Sequence, residues 1–251
     1  MKNLALTAAV LALTASGALA QQVIRMGTEG AYPPYNYLNE SNELVGFEID
    51  LGNALCARAN LTCEWVQNDW DSIIPNLVAG NYDTIMAGMN ATPARAEVIA
   101  FSEAYKLPDP SGYMALAGTD PAVMESGVIA AQSNTVQASM VGNSISVAEV
   151  SATMLIEFPT ADETIAAVRN GTADAVLADH DFLVTYVTES NGELAFLATV
   201  PTAGDGVSIG LRQSDEALRA TFNAAIESMK ADGSLNALLR QWFGETVPVF
   251  E

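Results

Sequence analysis

DSIIPNLVAGNYDTIMA, residues 71–87, and DETIAAVRNGTADAVLA, residues 162–178, are two copies of one pattern. Asp71, Ile74, Leu77, Gly80, Asp83, Ile85, Met86 and Ala87 recur at a single spacing as Asp162, Ile165, Val168, Gly171, Asp174, Val176, Leu177 and Ala178. Apolar residues three apart, then a glycine, then a short apolar run predict a helix, its C-terminal stop and a buried parallel strand. Two copies at one offset predict two similarly built α/β lobes. The strands end at Ala87-Gly88 and at Ala178-Asp179. Ligands of open α/β sheets bind beyond the carboxyl ends of strands, so Gly88–Asn90 and Asp179 are expected to face a shared cleft.

The flanking chain fits this plan. Val23 to Thr28 reads as a first strand, Glu48 to Ala59 as a helix and Thr62 to Val66 as the next strand. Val128 to Ala131 begins the second lobe's sheet, with a helix from about Asn134. Stretches 106–117 and 198–211 are the candidate crossings between lobes, and helices 215–231 and 234–243 close the chain. Two crossings return the C-terminal part to the first lobe. The expected division is 21–108 with 207–251 as lobe 1 and 109–206 as lobe 2, with a cleft that closes by hinge motion.

Composition restricts the partners. The chain of 251 residues carries 10 Lys and Arg against 30 Asp and Glu, a formal net charge of −20. Half its residues are hydrophobic, enough for a large core. Nucleic acid is excluded as a partner, because phosphates are repelled and no basic stripe offsets that.

The N-terminus reads as an address. Met1-Lys2 is a short basic region, Leu4 to Ala15 an apolar run, and Ala18-Leu19-Ala20 a small-x-small cleavage site. Residues 1–20 are therefore expected to be a secretory signal peptide. No later segment approaches the length of a membrane span, so the mature chain is expected to be unanchored in the periplasm. Cys56 and Cys63 are the two cysteines. In an oxidising compartment they read as a local disulfide, with buried free thiols as the alternative. No set of residues suggests a metal, a cofactor or a catalytic group.

Among candidate ligand contacts, Arg95 stands out. Thr92-Pro93-Ala94-Arg95 looks like an N-cap, a first-position proline and a first helical turn. A cation there opposes the helix dipole, and a guanidinium aimed at an external carboxylate would explain it. A solvated surface arginine is the plain alternative. Ser133-Asn134-Thr135, where a strand turns into a helix, offers backbone N–H groups as an anion site; ordinary capping is the competing reading. Asp179 supplies an acceptor for a cation, and His180 and Asp181 read as bystanders. Tyr32 after the first strand and Trp70 after the Thr62–Val66 strand could clamp an apolar stem or planar cation, with the Glu29 carboxylate near Tyr32. Tyr35 and Phe47 read as core.

Gly27–Tyr35 (GTEGAYPPY), Gly46–Gly52 (GFEIDLG), Asp71–Leu77, Met86–Arg95 (MAGMNATPAR) and Gly210–Arg212 resemble the periplasmic polar-amino-acid-binding proteins of ABC importers. Those closest in pattern are the lysine/arginine/ornithine, histidine and arginine binders. The resemblance implies a two-lobed α/β fold of the type II periplasmic-binding kind, two doubly wound sheets joined by two hinge crossings. It also implies a monomer that delivers an amino acid to a membrane permease. The cysteine pair resembles the disulfide of the basic-amino-acid binders. Carried over, Arg95 and the backbone at Thr135 would hold the α-carboxylate, with Asn134 beside it as a further candidate contact. Asp179, the Gly88 carbonyl and the Asn90 side chain would hold the α-ammonium. Tyr32 and Trp70 would sandwich the side chain, and Glu29 would meet its distal end. Three features depart from the pattern. Asn90 replaces a usual Ser or Thr, Ala87 replaces a Ser, and the loop before Gly206 lacks a Tyr-Phe-Gly. The expected ligand is a cationic amino acid, arginine first, then lysine, ornithine or histidine. A neutral one such as glutamine and a cyclohexadienyl dehydratase-like enzyme on the same scaffold are the alternatives.

Overall fold

The computed structural model describes residues 23–147, 153–202 and 204–251; the signal-peptide reading lies outside them. The first strand β1 (Val23–Thr28) leads into a small antiparallel sheet of β2 (Ala31–Tyr32), β3 (Asn36–Leu38) and β4 (Leu44–Val45). There follow α1 (Phe47–Arg58), β5 (Thr62–Gln67), α2 (Trp70–Val78), β6 (Thr84–Ile85), the single turn α3 (Pro93–Ala96) and β7 (Ala100–Lys106). The second lobe contains β8 (Ser111–Leu116), α4 (Val123–Ser126), β9 (Val128–Gln132), α5 (Val136–Val147) and β10 (Met154–Phe158). It continues through α6 (Ala161–Arg169), β11 (Ala175–Asp179), α7 (His180–Glu189) and β12 (Leu194–Val200). Finally β13 (Val207–Leu211), α8 (Glu216–Ala231) and α9 (Ser234–Phe243) rejoin the first lobe.

The strand orders show why the repeat exists. One sheet runs β5-β1-β6-β13-β7 and the other β10-β9-β11-β8-β12. In each, the first three strands are parallel and the fourth and fifth pair antiparallel. The repeated aspartates occupy the same place in both. Asp83 accepts from the Arg25 backbone N–H at 3.0 Å and Asp174 from that of Val128 at 2.7 Å. Their own N–H groups return a bond to the same residues' carbonyls, each at 2.8 Å. Each carboxylate thus satisfies an amide of the lobe's first parallel strand that the ladder leaves open. Gly80 and Gly171 end the repeated helices at φ 83° and 76°, left-handed backbone that a Cβ would disfavour.

Helix spacing is corrected in one respect. In α2 the deep residues are Ile73 and Leu77, one helical turn apart, with Ile74 half-buried; in α6 they are Ile165 and Val168. Each such side chain contributes roughly 2 kcal/mol by leaving water. Tyr35 and Phe47 are core, as expected. Cys56 and Cys63 form a disulfide that ties the end of α1 to β5.

Among the described residues, the chain passes between the sheets at 107–110 and at 201–202 with 204–206, narrower than the stretches expected, because β7, β8, β12 and β13 extend into both. The lobes are drawn together over the strand ends. Trp70 Nε1 donates to the Ser133 carbonyl at 3.0 Å, Arg95 Nη2 to the Asn134 carbonyl at 3.1 Å and Gln132 Nε2 to Glu29 Oε1 at 2.7 Å.

Candidate functional site

Between the lobes lies a narrow cleft. Glu29, Tyr32, Trp70, Ala87, Gly88, Asn90, Arg95, Thr135 and Asp179 line it. These residues come from the ends of β1, β2, β6 and β11, the turn α3 and the entrances of α2 and α5. Sequence reasoning missed Gln132, Val136 and Gln137, which also line it. Gln132 ends β9 and Gln137 lies in the first turn of α5, places where a glutamine carries no signal of its own.

Asn134 stands apart. Its backbone is left-handed at φ 57°, its side chain donates to Asp71 Oδ1 at 2.9 Å, and its carbonyl accepts from Arg95. It sits on the seam between the lobes rather than on the cleft wall. The Thr135 hydroxyl is occupied as a cap, accepting from the Ala138 N–H at 3.1 Å. The adjoining first turn of α5 remains against the cleft through Val136 and Gln137, and a helix N-terminus there favours negative charge.

Arg95 is held as its motif predicts: the Thr92 hydroxyl accepts from the Arg95 N–H at 3.3 Å, with Pro93 at the first helical position. Its guanidinium donates to the Asn90 carbonyl at 3.0 Å and lies 5.2 Å from the Trp70 ring centre. Among the described residues it has no carboxylate within ion-pair distance. Burial lowers its pKa to about 10, which leaves it cationic at neutral pH. Asp179 is the opposite pole. It accepts from the Tyr32 hydroxyl at 2.9 Å and from Gln137 Nε2 at 2.8 Å, and burial pushes its carboxyl above the ordinary value.

Glu29 is buried, with Gln132 as its hydrogen-bond partner. Desolvation, aided by the distant charges of Asp162, Asp69 and Asp71, raises its pKa to about 7 against the lowering effect of Gln132. Each clamp ring has one flank occupied. Tyr32 stacks on Phe182 with ring centres 4.3 Å apart, and Trp70 has the Arg95 guanidinium.

A second layer holds the cleft loops. Glu48, wholly buried, accepts from the Gly88 N–H at 2.8 Å, from Asn36 Nδ2 at 2.7 Å and from the Tyr105 hydroxyl. Asn36 in turn accepts from the Gly30 N–H at 2.7 Å. The Gly46–Gly52 stretch is explained by this, since Gly46 starts α1 at φ 128°, where a Cβ would sit 2.4 Å from the Tyr35 carbonyl. Asp181 does not line the cleft but has a structural role: it pairs with the buried Lys106 at 3.0 Å, and Lys106 also pairs with Asp109 of the first crossing. The helix α7 therefore anchors to the hinge. His180 stacks on Phe196 outside the cleft.

Two sheets of matching strand order, joined by two crossings around a cleft with separated opposite charges, define a two-lobed α/β ligand-binding protein of the type II class. Comparison with known proteins agrees. Residues 24–245 match the family model of the bacterial extracellular solute-binding proteins, family 3, and the chain belongs to that family. It is 29% identical to the octopine-binding periplasmic protein of Rhizobium meliloti, over 94% of this chain and 95% of that one. It is 28% identical to ABC transporter arginine-binding protein 1 of Escherichia coli (strain K12), over 97% and 99%. A solved periplasmic His/Glu/Gln/Arg/opine family-binding protein from Silicibacter pomeroyi, in complex with lysine, is 56% identical. It superposes with a TM-score of 0.84 over 90% of this chain and 100% of that one.

Proposed function

We propose that this protein captures a polar L-amino acid with a cationic side chain by closure of its lobes and delivers it to the permease of an ABC importer. Arginine is the first choice, with lysine, ornithine and histidine behind. The observation that carries the reading is the pair Arg95 and Asp179. Two opposite charges line one cleft, and neither has an ion-pair partner among the described residues. Buried charges cost free energy unless paired; a zwitterion with a carboxylate and an ammonium supplies both partners at once. Arg95 with the α5 N-terminus at Thr135 takes the carboxylate. Asp179 with Gly88 and Asn90 takes the ammonium, and Ala87 also lines the cleft. Tyr32 and Trp70 flank the side chain and Glu29 meets its distal group. The names of the relatives, which include arginine, lysine and octopine, support a ligand of that class.

The setting follows from the same reading: a monomer, secreted through residues 1–20 into the periplasm, acting without cofactor or catalysis. A dehydratase of a dicarboxylate lacking an ammonium is disfavoured, because the Asp179 carboxylate would repel such a substrate. The test is a thermal-shift screen of the mature protein against the twenty amino acids, opines and polyamines. A ligand at 100 times its dissociation constant adds about 2.7 kcal/mol of stability. Stabilisation by cationic amino acids supports the proposal; stabilisation by none, with turnover of prephenate or arogenate, overturns it.

A further inference from the structure

The Asp179 carboxylate is the cleft end of a hydrogen-bond chain that reaches both crossings between the lobes. Gln137 Nε2 donates to Asp179 Oδ1 at 2.8 Å and to Ser111 Oγ at 3.1 Å. Ser111 Oγ lies 2.7 Å from Thr202 Oγ1. An amide nitrogen carries two protons, and Gln137 places one on each acceptor. The Ser111 hydroxyl accepts from Gln137 and shares a second hydrogen bond with Thr202 in which either hydroxyl can be the donor, so the chain is continuous from Gln137 through Ser111 to Thr202. Its members are well placed for transmission. Ser111 opens β8 immediately after the first crossing and pairs in register with both Asp179 of β11 and Val200 of β12. Thr202 lies in the second crossing. Ser111 is fully buried and Gln137 nearly so, so water competes little for these bonds. Nearby, the Lys106 ion pairs with Asp109 and Asp181 fasten the first crossing to α7, the helix that follows Asp179.

We infer that Gln137 is a positioning residue, orienting Asp179 and coupling its occupancy to the hinge through Ser111 and Thr202. The role in ligand binding rests on the proposed function; the coupling to the hinge does not. With Asp179 fixed by Gln137, an arriving ammonium finds the carboxylate in place, and the two crossings are clipped together in the closed arrangement. With the clip gone, the crossings rotate independently and the closed form loses one buried hydrogen bond. A neutral hydrogen bond of ordinary net worth shifts such an equilibrium about fivefold.

The experiment places spin labels at Glu64→Cys and Glu157→Cys, exposed positions on the outer strands β5 and β10 of the two sheets. The inter-lobe distance distribution is measured with and without arginine, alongside the arginine release rate. Ser111 and Thr202 do not line the cleft, and the Ser111 side chain reaches it only through its bond to Gln137. Ser111→Ala and Thr202→Val are each expected to shift the ligand-free distribution toward longer distances and to speed release about fivefold. The double variant is expected to go no further than either single one, and Thr202→Ser to restore the parent distribution. Gln137→Leu is expected to produce the same shift and, in addition, to weaken arginine binding at least tenfold. Unchanged distances and release in Ser111→Ala and Thr202→Val, or additive effects in the double variant, overturn the coupling. If no amino acid closes the parent protein, the proposed function fails, while the ligand-free distances still decide the hinge inference.

Discussion

The Tyr32 hydroxyl donates to Asp179 Oδ2 at 2.9 Å, joining residues 147 apart in sequence and on opposite lobes. The same ring lies parallel to Phe182 of the second lobe, at an interplanar angle of 3°. Tyr32 is therefore a first-lobe residue docked on the second by both its face and its tip. A stacked aromatic pair contributes roughly 1 kcal/mol beyond its buried area, and a hydrogen bond to a carboxylate about 1.5–3 kcal/mol, so face and tip both hold the lobes together. Asp179 also retains acceptor capacity for an ammonium after both of its bonds are counted. Tyr32→Phe should weaken arginine binding about tenfold by calorimetry, and Tyr32→Ala, which also removes the stacked ring, should weaken it further.

Arg95 is the cation that the cleft leaves without a counter-ion. Its two carbonyl partners, on Asn90 and Asn134, orient the guanidinium without neutralising it. Removing it deprives a bound carboxylate of a charge-assisted pair, a loss of about 2–5 kcal/mol. Arg95→Ala should therefore weaken every α-amino acid by roughly 30-fold to several thousand-fold, whatever the side chain. Binding of any of them within tenfold of the parent would remove Arg95 from the site.

Glu29 makes both stability and ligand affinity depend on pH. Below its ordinary value of 4.5 the carboxyl is protonated in folded and unfolded chains alike, so burial carries no ionic cost. Between 4.5 and about 7 the unfolded chain ionises while the folded one keeps its proton, so stability falls as pH rises. Above about 7 the loss is complete, on the order of 3 kcal/mol. Glu29→Gln should flatten that decline in urea titrations of the ligand-free protein between pH 5 and 8. A cationic side chain reverses the preference by favouring the carboxylate, so arginine binding near pH 6 should release a proton. Calorimetry in buffers of different ionisation enthalpy would detect it, and the variant should show none from this group.

Much of this was readable beforehand, for identifiable reasons. Gly80 and Gly171, Asp83 and Asp174 recur because each pair solves the same backbone problem in its lobe, so the two-lobed plan was visible in residue spacing. Arg95 was visible because Thr92 and Pro93 announce a helix start that a cation should not favour. Gln132 and Gln137 were not: a glutamine at a strand end or in a helix's first turn looks like any surface amide. Only the opposing lobe shows Gln132 against Glu29, and only the folded crossings show Gln137 against Ser111. Asp181 stays outside the cleft lining, and its structural role was hidden because its partner Lys106 comes from the end of β7, 75 residues earlier in the chain.

Glu48 shows how far the cleft depends on residues that never line it. Its two oxygens gather the Gly88 N–H, Asn36 and Tyr105, and burial raises its pKa despite those three donors. Glu48→Leu removes the acceptor and leaves three buried donors, each costing about 1–3 kcal/mol if no other acceptor reaches it. The expected result is a loss of at least about 3 kcal/mol in denaturant unfolding. Glu48→Gln keeps an acceptor oxygen but must place its amide protons beside those same donors. It should fall between parent and Glu48→Leu in stability. Because Gly88 lines the cleft where the proposed ammonium would sit, arginine affinity in Glu48→Gln should drop several-fold while Arg95 and Asp179 remain intact. Parent-like stability in Glu48→Leu would mean that water or rearrangement satisfies the Gly88 and Asn36 donors, and that the cleft loop is held by its backbone alone.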